Sequence, residues 1–134
     1  MYSDRFFKEN DALKEFMNLC MQEYNMLPKL SSVGYKKTLR LSGSGISMGL
    51  TVSNNPICIE VIYIKIKENS CKNVLHCYNI IELLIKKLIE CAKMYNVVIG
   101  AWVEDIDECI YNELGFKTIE KSNKIWVEYS QLLN

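Results

Sequence analysis

Hydrophobic and polar positions along the chain change period several times, and each change marks an element. From Asp4 to Met26, Phe6, Phe7, Leu13, Phe16, Met17, Cys20, Met21 and Tyr24 recur mostly three and four residues apart. That spacing lines one face of a helix, and Pro28 reads as its stop. From Tyr35 to Asn54 the period falls to two. Leu39 and Leu41, the turn sequence Ser42-Gly43-Ser44-Gly45, then Ile46, Met48, Leu50 and Val52 predict an antiparallel hairpin. The stretch from Met26 to Tyr35 reads as a connection. Pro56 then opens ICIEVIYIKIK, apolar on both alternating faces and rich in β-branched residues. A strand covered on both sides has this composition, so Cys58 to Ile66 is expected in the interior of a sheet.

Lys67 to Asn73 is polar and reads as a loop. From about Tyr78 helical spacing returns through Ile80, Ile81, Leu84, Ile85, Leu88, Cys91 and Ala92, as far as Asn96. VVIGAWV predicts another buried strand. Glu104, Asp105 and Asp107 then favour the first turn of a short helix, where negative side chains meet the positive end of its dipole, and Gly115 ends that helix. Phe116 to Glu120, the turn Lys121-Ser122-Asn123 and Lys124 to Tyr129 form a closing hairpin. With no repeat and no linker, residues 1–134 read as one domain.

Composition narrows the function classes. Lys plus Arg equals Asp plus Glu at 16 each, so no basic excess argues for nucleic acid or an anionic membrane. The longest apolar stretch, Pro56 to Ile66, is interrupted by Glu60 and Lys65 and is too short to span a bilayer. The N-terminus MYSDRFFKEN carries charges without the apolar region of a signal peptide. The six cysteines never approach the C-x-x-C spacing of a zinc or redox site. They read as free thiols in a cytoplasmic protein, and no metal site is expected.

The order helix, hairpin, central strand, long helix, strand, short helix, hairpin resembles the acyl-CoA N-acyltransferase fold of the GNAT superfamily of N-acetyltransferases. Tyr111-Asn112-Glu113-Leu114-Gly115-Phe116 is similar to the family's Tyr-x-x-x-Gly-Phe segment. The resemblance implies an α/β fold with a mixed, mainly antiparallel sheet flanked by helices. Because the chain opens on a helix, the family's first strand is expected to be missing. It also implies acetyl-CoA in a cleft where the central strand and the strand after the long helix splay apart, with its pyrophosphate at that helix's N-terminus. Ile64 and Ile66 on the central strand, with His76, Asn79, Ile80 and Ile81 around the helix start, are the implied cofactor positions. The family's Arg/Gln-x-x-Gly-x-Gly/Ala loop has no counterpart, since no glycine lies between Pro56 and Ile99.

By the same resemblance Tyr111 matches a tyrosine that protonates the departing thiolate; a phenol with an ordinary pKa near 10 can give up that proton late in the reaction. The plain alternative is a helix residue packed on the sheet. Glu60 falls where some family members place the base that deprotonates the amine. A carboxylate in an apolar strand has its pKa raised by desolvation, unless it reaches solvent or pairs with a lysine. His76 is the lone histidine, and a loop histidine is most often simply solvated. Lys65, Lys67 and Lys72 form a cluster able to attract phosphates, or a solvated face. The aromatic and Met residues of the first helix read as core, with a homodimer interface as their other use.

Two functions follow. One is transfer of an acetyl group from acetyl-CoA to an amine of a small molecule or protein. The other, which the missing glycines favour, is a catalytically silent module that keeps the fold and works through a protein partner.

Overall fold

The computed structural model describes residues 4–33, 36–54, 57–66 and 74–130. In chain order the elements are α1 (Asp4–Tyr24), β1 (Leu27–Val33), β2 (Lys36–Gly43), β3 (Ile46–Asn54), β4 (Ile57–Ile66), α2 (Val74–Tyr95), β5 (Ile99–Val103), α3 (Asp105–Glu113), β6 (Lys117–Lys121) and β7 (Ile125–Tyr129). Among the described residues the strands form one seven-stranded sheet in the order β1-β2-β3-β4-β5-β7-β6. Neighbouring strands run antiparallel except β4 and β5, which are parallel. The sheet is mixed and mainly antiparallel, as expected, and β4 is its central strand.

One face of the sheet carries the core. Leu39, Leu41, Met48, Leu50, Ile59, Val61, Ile99, Ala101, Ile125 and Val127 join Ala12, Phe16 and Cys20 of α1, Leu84, Leu88 and Cys91 of α2, and Tyr111 of α3 in one buried cluster. Side chains alternate across a strand, so all three helices pack on this inner face. Residues of the other parity, Arg40, Gly49, Glu60, Tyr63, Gly100, Trp126 and Glu128 among them, lie on the outer face.

The turns obey backbone sterics. Ser44 and Gly45 both take positive φ, at 54° and 78°, the requirement of a two-residue hairpin turn. α2 ends at Asn96, whose φ is 55°. There the N–H of Val97 returns to the carbonyl of Ala92 at 2.9 Å and that of Asn96 to Lys93 at 3.3 Å. α3 ends in the same motif at Gly115, with φ 104°, through Phe116 N–H to the Tyr111 carbonyl at 3.0 Å and Gly115 N–H to Asn112 at 3.1 Å.

Three expectations need correction. The stop of α1 is Asn25, with φ 52°, and not Pro28. Met26 to Tyr35 is not a plain connection, because Leu27–Val33 pairs along β2 as the sheet's edge strand. Its Leu27 and Leu30 are 74% and 77% exposed, so no buried alternation marks it, and Pro28 is tolerated because the strand lies at an edge. No described strand precedes α1, yet that edge is occupied. Met21 is exposed, since the buried stripe of α1 runs through Ala12, Phe16 and Cys20. The side chains of Phe6 and Phe7 lie outside the described ones.

Among the described residues Cys20, Cys58 and Cys91 are buried, Cys109 is exposed, and none of the four is in a disulfide; Cys71 lies outside the described residues, and the side chain of Cys77 outside the described ones. Burial, then the proximity of Cys91, pushes the Cys20 thiol up to about 12, and burial pushes Cys91 to about 11. Such thiols are inert space-fillers in the packing of α1 on α2. No described helix is long and apolar enough to cross a membrane. No group of three or more described His, Cys, Asp or Glu is placed to hold a metal ion.

Candidate active-site cleft

The site begins with an interrupted ladder. β4 and β5 pair only at Ile59 with Ile99, Glu60 with Gly100 and Val61 with Ala101. On β4's other side the register slips, Leu50 facing Val61 and Gly49 facing Tyr63, so Ile62 is the extra residue of a bulge. A bulge bends its strand and increases the local twist, and it sits one residue past the last β4–β5 pair. Beyond it the two strands diverge, and among the described residues the edge of β4 that faces β5 has no β-ladder partner.

A cleft of about 850 Å³ fills the divergence. Its floor is Val61 to Ile66 of β4, one wall is α2 and the other is β5 with α3. The volume suits an organic ligand of substantial size. The side chains mix apolar and polar chemistry: Ile64, Ile66, Ile81 and Ile85 against Asn79, Tyr78 and Tyr111. Its charges are Lys65 and Lys86 set against Glu82, Glu104, Asp107 and Glu113. Lys86 pairs with Glu82 at 3.4 Å within α2, so the acidic excess belongs to the α3 wall.

Of the residues expected to act, Tyr111, Ile64, Ile66, Asn79 and Ile81 meet in this cleft. Ile80 does not; it packs, partly buried, against the core, because a helix turns successive residues by about 100° and Asn79 and Ile81 already flank the cleft side. His76 falls within the first turn of α2 and not in a loop ahead of it; its side chain lies outside the described ones. Lys67, Lys72 and the loop Lys67 to Asn73 lie outside the described residues.

Tyr111 is 8% exposed and stands edge-on to Phe116, with ring centroids 5.0 Å apart. Phe116 in turn meets Tyr129 at 5.7 Å. Burial and the nearby Asp107 carboxylate push the phenol up to about 12, above the ordinary value near 10 assumed from sequence. It is therefore a hydrogen donor at any physiological pH. Asp107 is itself raised, first by burial and then by Glu104. α3 is fastened to the sheet edge by Glu108, which accepts from Thr118 Oγ1 at 2.6 Å and Lys121 Nζ at 2.8 Å. Those two bonds hold its carboxyl below the usual range.

Glu60 is half-buried on the outer face and is not among the residues lining the cleft. It pairs with Gly100, one residue before the strands part, and thus stands on the far side of the sheet at the start of the gap. Tyr63, Lys65 and Trp102 belong to that same face and do line the cleft. The gap therefore passes through the sheet.

Sequence reasoning missed Trp102, Tyr63 and Trp126. For the last two, glycines were the available signal. A Cβ on Gly49 would stand 2.4 Å from Tyr63 Cε1, and one on Gly100 would stand 2.2 Å from Trp126 Cζ2. Each glycine admits an aromatic ring lying against the sheet.

No protein-family model matches the chain, and no curated protein matches it. Among solved structures, Escherichia coli ElaA is similar at 11% sequence identity, over 90% of this chain and 88% of that one, with a TM-score of 0.47.

Proposed function

We propose that this protein is an acyl-CoA-dependent N-acetyltransferase acting on an amine. The observation that carries the reading is the parting of β4 and β5 after Val61 and Ala101, with a bulge at Ile62 and a cleft of about 850 Å³ reaching Tyr111. A strand edge without a ladder partner is a ready template for an extended, amide-bearing chain, and the pantetheine arm of coenzyme A is one. Ile64 and Ile66 supply that edge, and Asn79 and Ile81 the α2 side of the channel.

The thioester supplies an acyl carbon open to attack and a thiolate leaving group. The amine nitrogen forms the new C–N bond as the C–S bond breaks. Backbone N–H groups of β4 beyond the bulge stabilise the developing oxyanion. Tyr111 hydrogen-bonds the sulfur and delivers its proton there, and a phenol held near 12 is always loaded for that task. Glu60, at the outer start of the gap, takes the proton that the amine must lose. His76 would contact the phosphate end.

The acidic α3 wall and the missing glycines favour a second reading, a silent module that binds a protein partner and no coenzyme A. A thermal shift separates the two. Acetyl-CoA at one hundred times its Kd stabilises a binding fold by about 2.7 kcal/mol. No shift at millimolar acetyl-CoA, and no release of coenzyme A with a panel of amines, overturns the transferase reading.

A further inference from the structure

The edge of the sheet farther from the cleft is built unlike the rest of the chain. Between Glu23 and Glu60 there is no Asp or Glu, and the charges are Lys29, Lys36, Lys37 and Arg40. The balanced total of charges thus hides a segregation, since β1, β2 and β3 carry cations and no carboxylate. Lys29 stands directly opposite Arg40 on the outer face. Like charges in directly opposed cross-strand positions are destabilising. No described carboxylate forms an ion pair with Lys29, Lys37 or Arg40. Arg40 gives its Nε–H to the Tyr63 hydroxyl at 3.0 Å, and Glu23, the last acid before this stretch, is turned to Lys87 of α2 at 3.9 Å.

β1 is open on its far side. Among the described residues it is the terminal strand. A proline inside a ladder sits where its missing N–H would have faced solvent, so Pro28, Leu30 and Ser32 turn their backbone groups outward. The edge therefore offers the N–H groups of Leu30 and Ser32 and the carbonyls of all three. Leu27 and Leu30, the most exposed large hydrophobics among the described residues, stand on opposite faces. Leu27 is abreast of Ser42 on the outer face, and Leu30 is abreast of the core residue Leu39 on the inner one. An edge with free donors and acceptors, an apolar side chain on each face and unpaired cations is a template for an added strand. A second copy of this chain fits it poorly, because it brings the same cations and no acid.

We propose that β1 takes up an extended acidic segment of another protein as a further strand of the sheet, with carboxylates on the outer face against Lys29 and Arg40 and apolar side chains on the inner face against Leu30. A carboxylate abreast of Lys29 relieves the repulsion between Lys29 and Arg40, and an apolar neighbour removes Leu30 from water. β2 and β3 separate this edge from β4 and the cleft, so the inference goes beyond acetyl transfer and neither reading depends on the other.

Fluorescence anisotropy on the intact chain at pH 7 tests it. The probe is an end-blocked, labelled hexapeptide alternating valine and glutamate. Its controls are the valine–lysine counterpart, two versions N-methylated at every valine or at every glutamate, and hexathymidylate. The acidic peptide should bind roughly tenfold or more tightly than the lysine peptide. Only one edge of the peptide faces β1, so one N-methylated set should lose binding and the other keep it. Lys29→Glu and Leu30→Ser, both at exposed positions, should each weaken binding roughly fivefold with Tm not lowered. No binding at millimolar peptide, equal binding of the lysine peptide, or an equal response to the two N-methylations overturns the proposal. Hexathymidylate binding as tightly, with sensitivity to Lys29→Glu and none to Leu30→Ser, overturns it in favour of a nucleic-acid surface. A dimer in sedimentation that Leu30→Ser dissolves and the acidic peptide does not displace overturns it in favour of a second copy.

Discussion

The two halves of β4 read alike in sequence and behave differently in the fold. In Ile57 to Val61, Ile59 is fully buried and Val61 nearly so, between ladders on both sides. In Ile62 to Ile66, Ile64 and Ile66 are only partly buried and Ile62 is 39% exposed, because β5 has left. The residue types are the same β-branched apolar set. What differs is the neighbour, and the neighbour leaves where a bulge bends the strand. An apolar strand half-exposed inside a protein is a cost that close packing removes elsewhere; here it lines a cleft.

Truncation should separate the halves most sharply. Ile59→Ala empties a close-packed site and should cost about 2–5 kcal/mol, whereas Ile64→Ala, next to open space, should cost less than about 1.5 kcal/mol. Urea denaturation measures both. Equal losses would mean that the second half is core and the cleft is not a binding surface. Next comes Tyr111→Phe, which keeps the ring on Phe116 and removes only the donor. It should lower kcat about ten- to a thousandfold with acetyl-CoA affinity nearly unchanged. Steady-state kinetics and a binding titration read the two effects separately.

The same comparison explains how much was legible. Both helical stripes were readable because one face of each is buried and the period shows it, whereas the closing hairpin was readable from its turn, Lys121-Ser122-Asn123, since every residue of β6 is exposed and β7 is buried on both faces. β1 was not. It sits at the edge with Leu27 and Leu30 in solvent, so its residues carry no alternation, and Pro28 argued for a stop where it only marks an edge. At the site, Tyr111 was legible through its place ahead of Gly115. Trp102 and Trp126 were not, since a tryptophan in a strand reads as core; what sets Trp126 apart is a missing Cβ on the neighbouring strand, at Gly100. The alternation of β4 predicted two covered faces and carried no sign that β5 departs at Val61.

Ionisation offers a third contrast, between the buried thiols of the helix layer and the phenol of the cleft. Cys20, Cys91 and Tyr111 all have folded-state values raised above their ordinary ones, to about 12, 11 and 12. Each therefore holds its proton more tightly folded than unfolded. Their contributions are fully present below about pH 9 for the thiols and about pH 10 for Tyr111, and are lost as pH rises through the folded values. Tm should be flat from pH 7 to 9 and fall steeply from 9 to 11. Cys20→Ala should flatten that fall while lowering the plateau, and Tyr111→Phe should flatten only its upper part. A Tm that does not fall above pH 9 would contradict the burial of all three.

The last contrast lies in what holds α3, which carries the cleft's second wall: its backbone stop at Gly115 against its surface ion pair, the smallest effect of all. Gly115→Ala places a side chain at φ 104°, where its Cβ would also stand 3.2 Å from Tyr129 Cε2, and should cost about 1–3 kcal/mol. Lys121→Ala removes the ammonium that Glu108 holds on an exposed surface. Exposed pairs contribute about 0–1 kcal/mol, so Tm should barely move. The cleft gives the more sensitive readout. Loosening α3 from β6 lets Tyr111 drift from the sulfur, so kcat should fall severalfold with Tm almost constant and KM for acetyl-CoA little changed. If Lys121→Ala leaves kcat unchanged, the ion pair positions nothing, and Thr118 on Glu108 together with Tyr111 on Phe116 holds α3 in place.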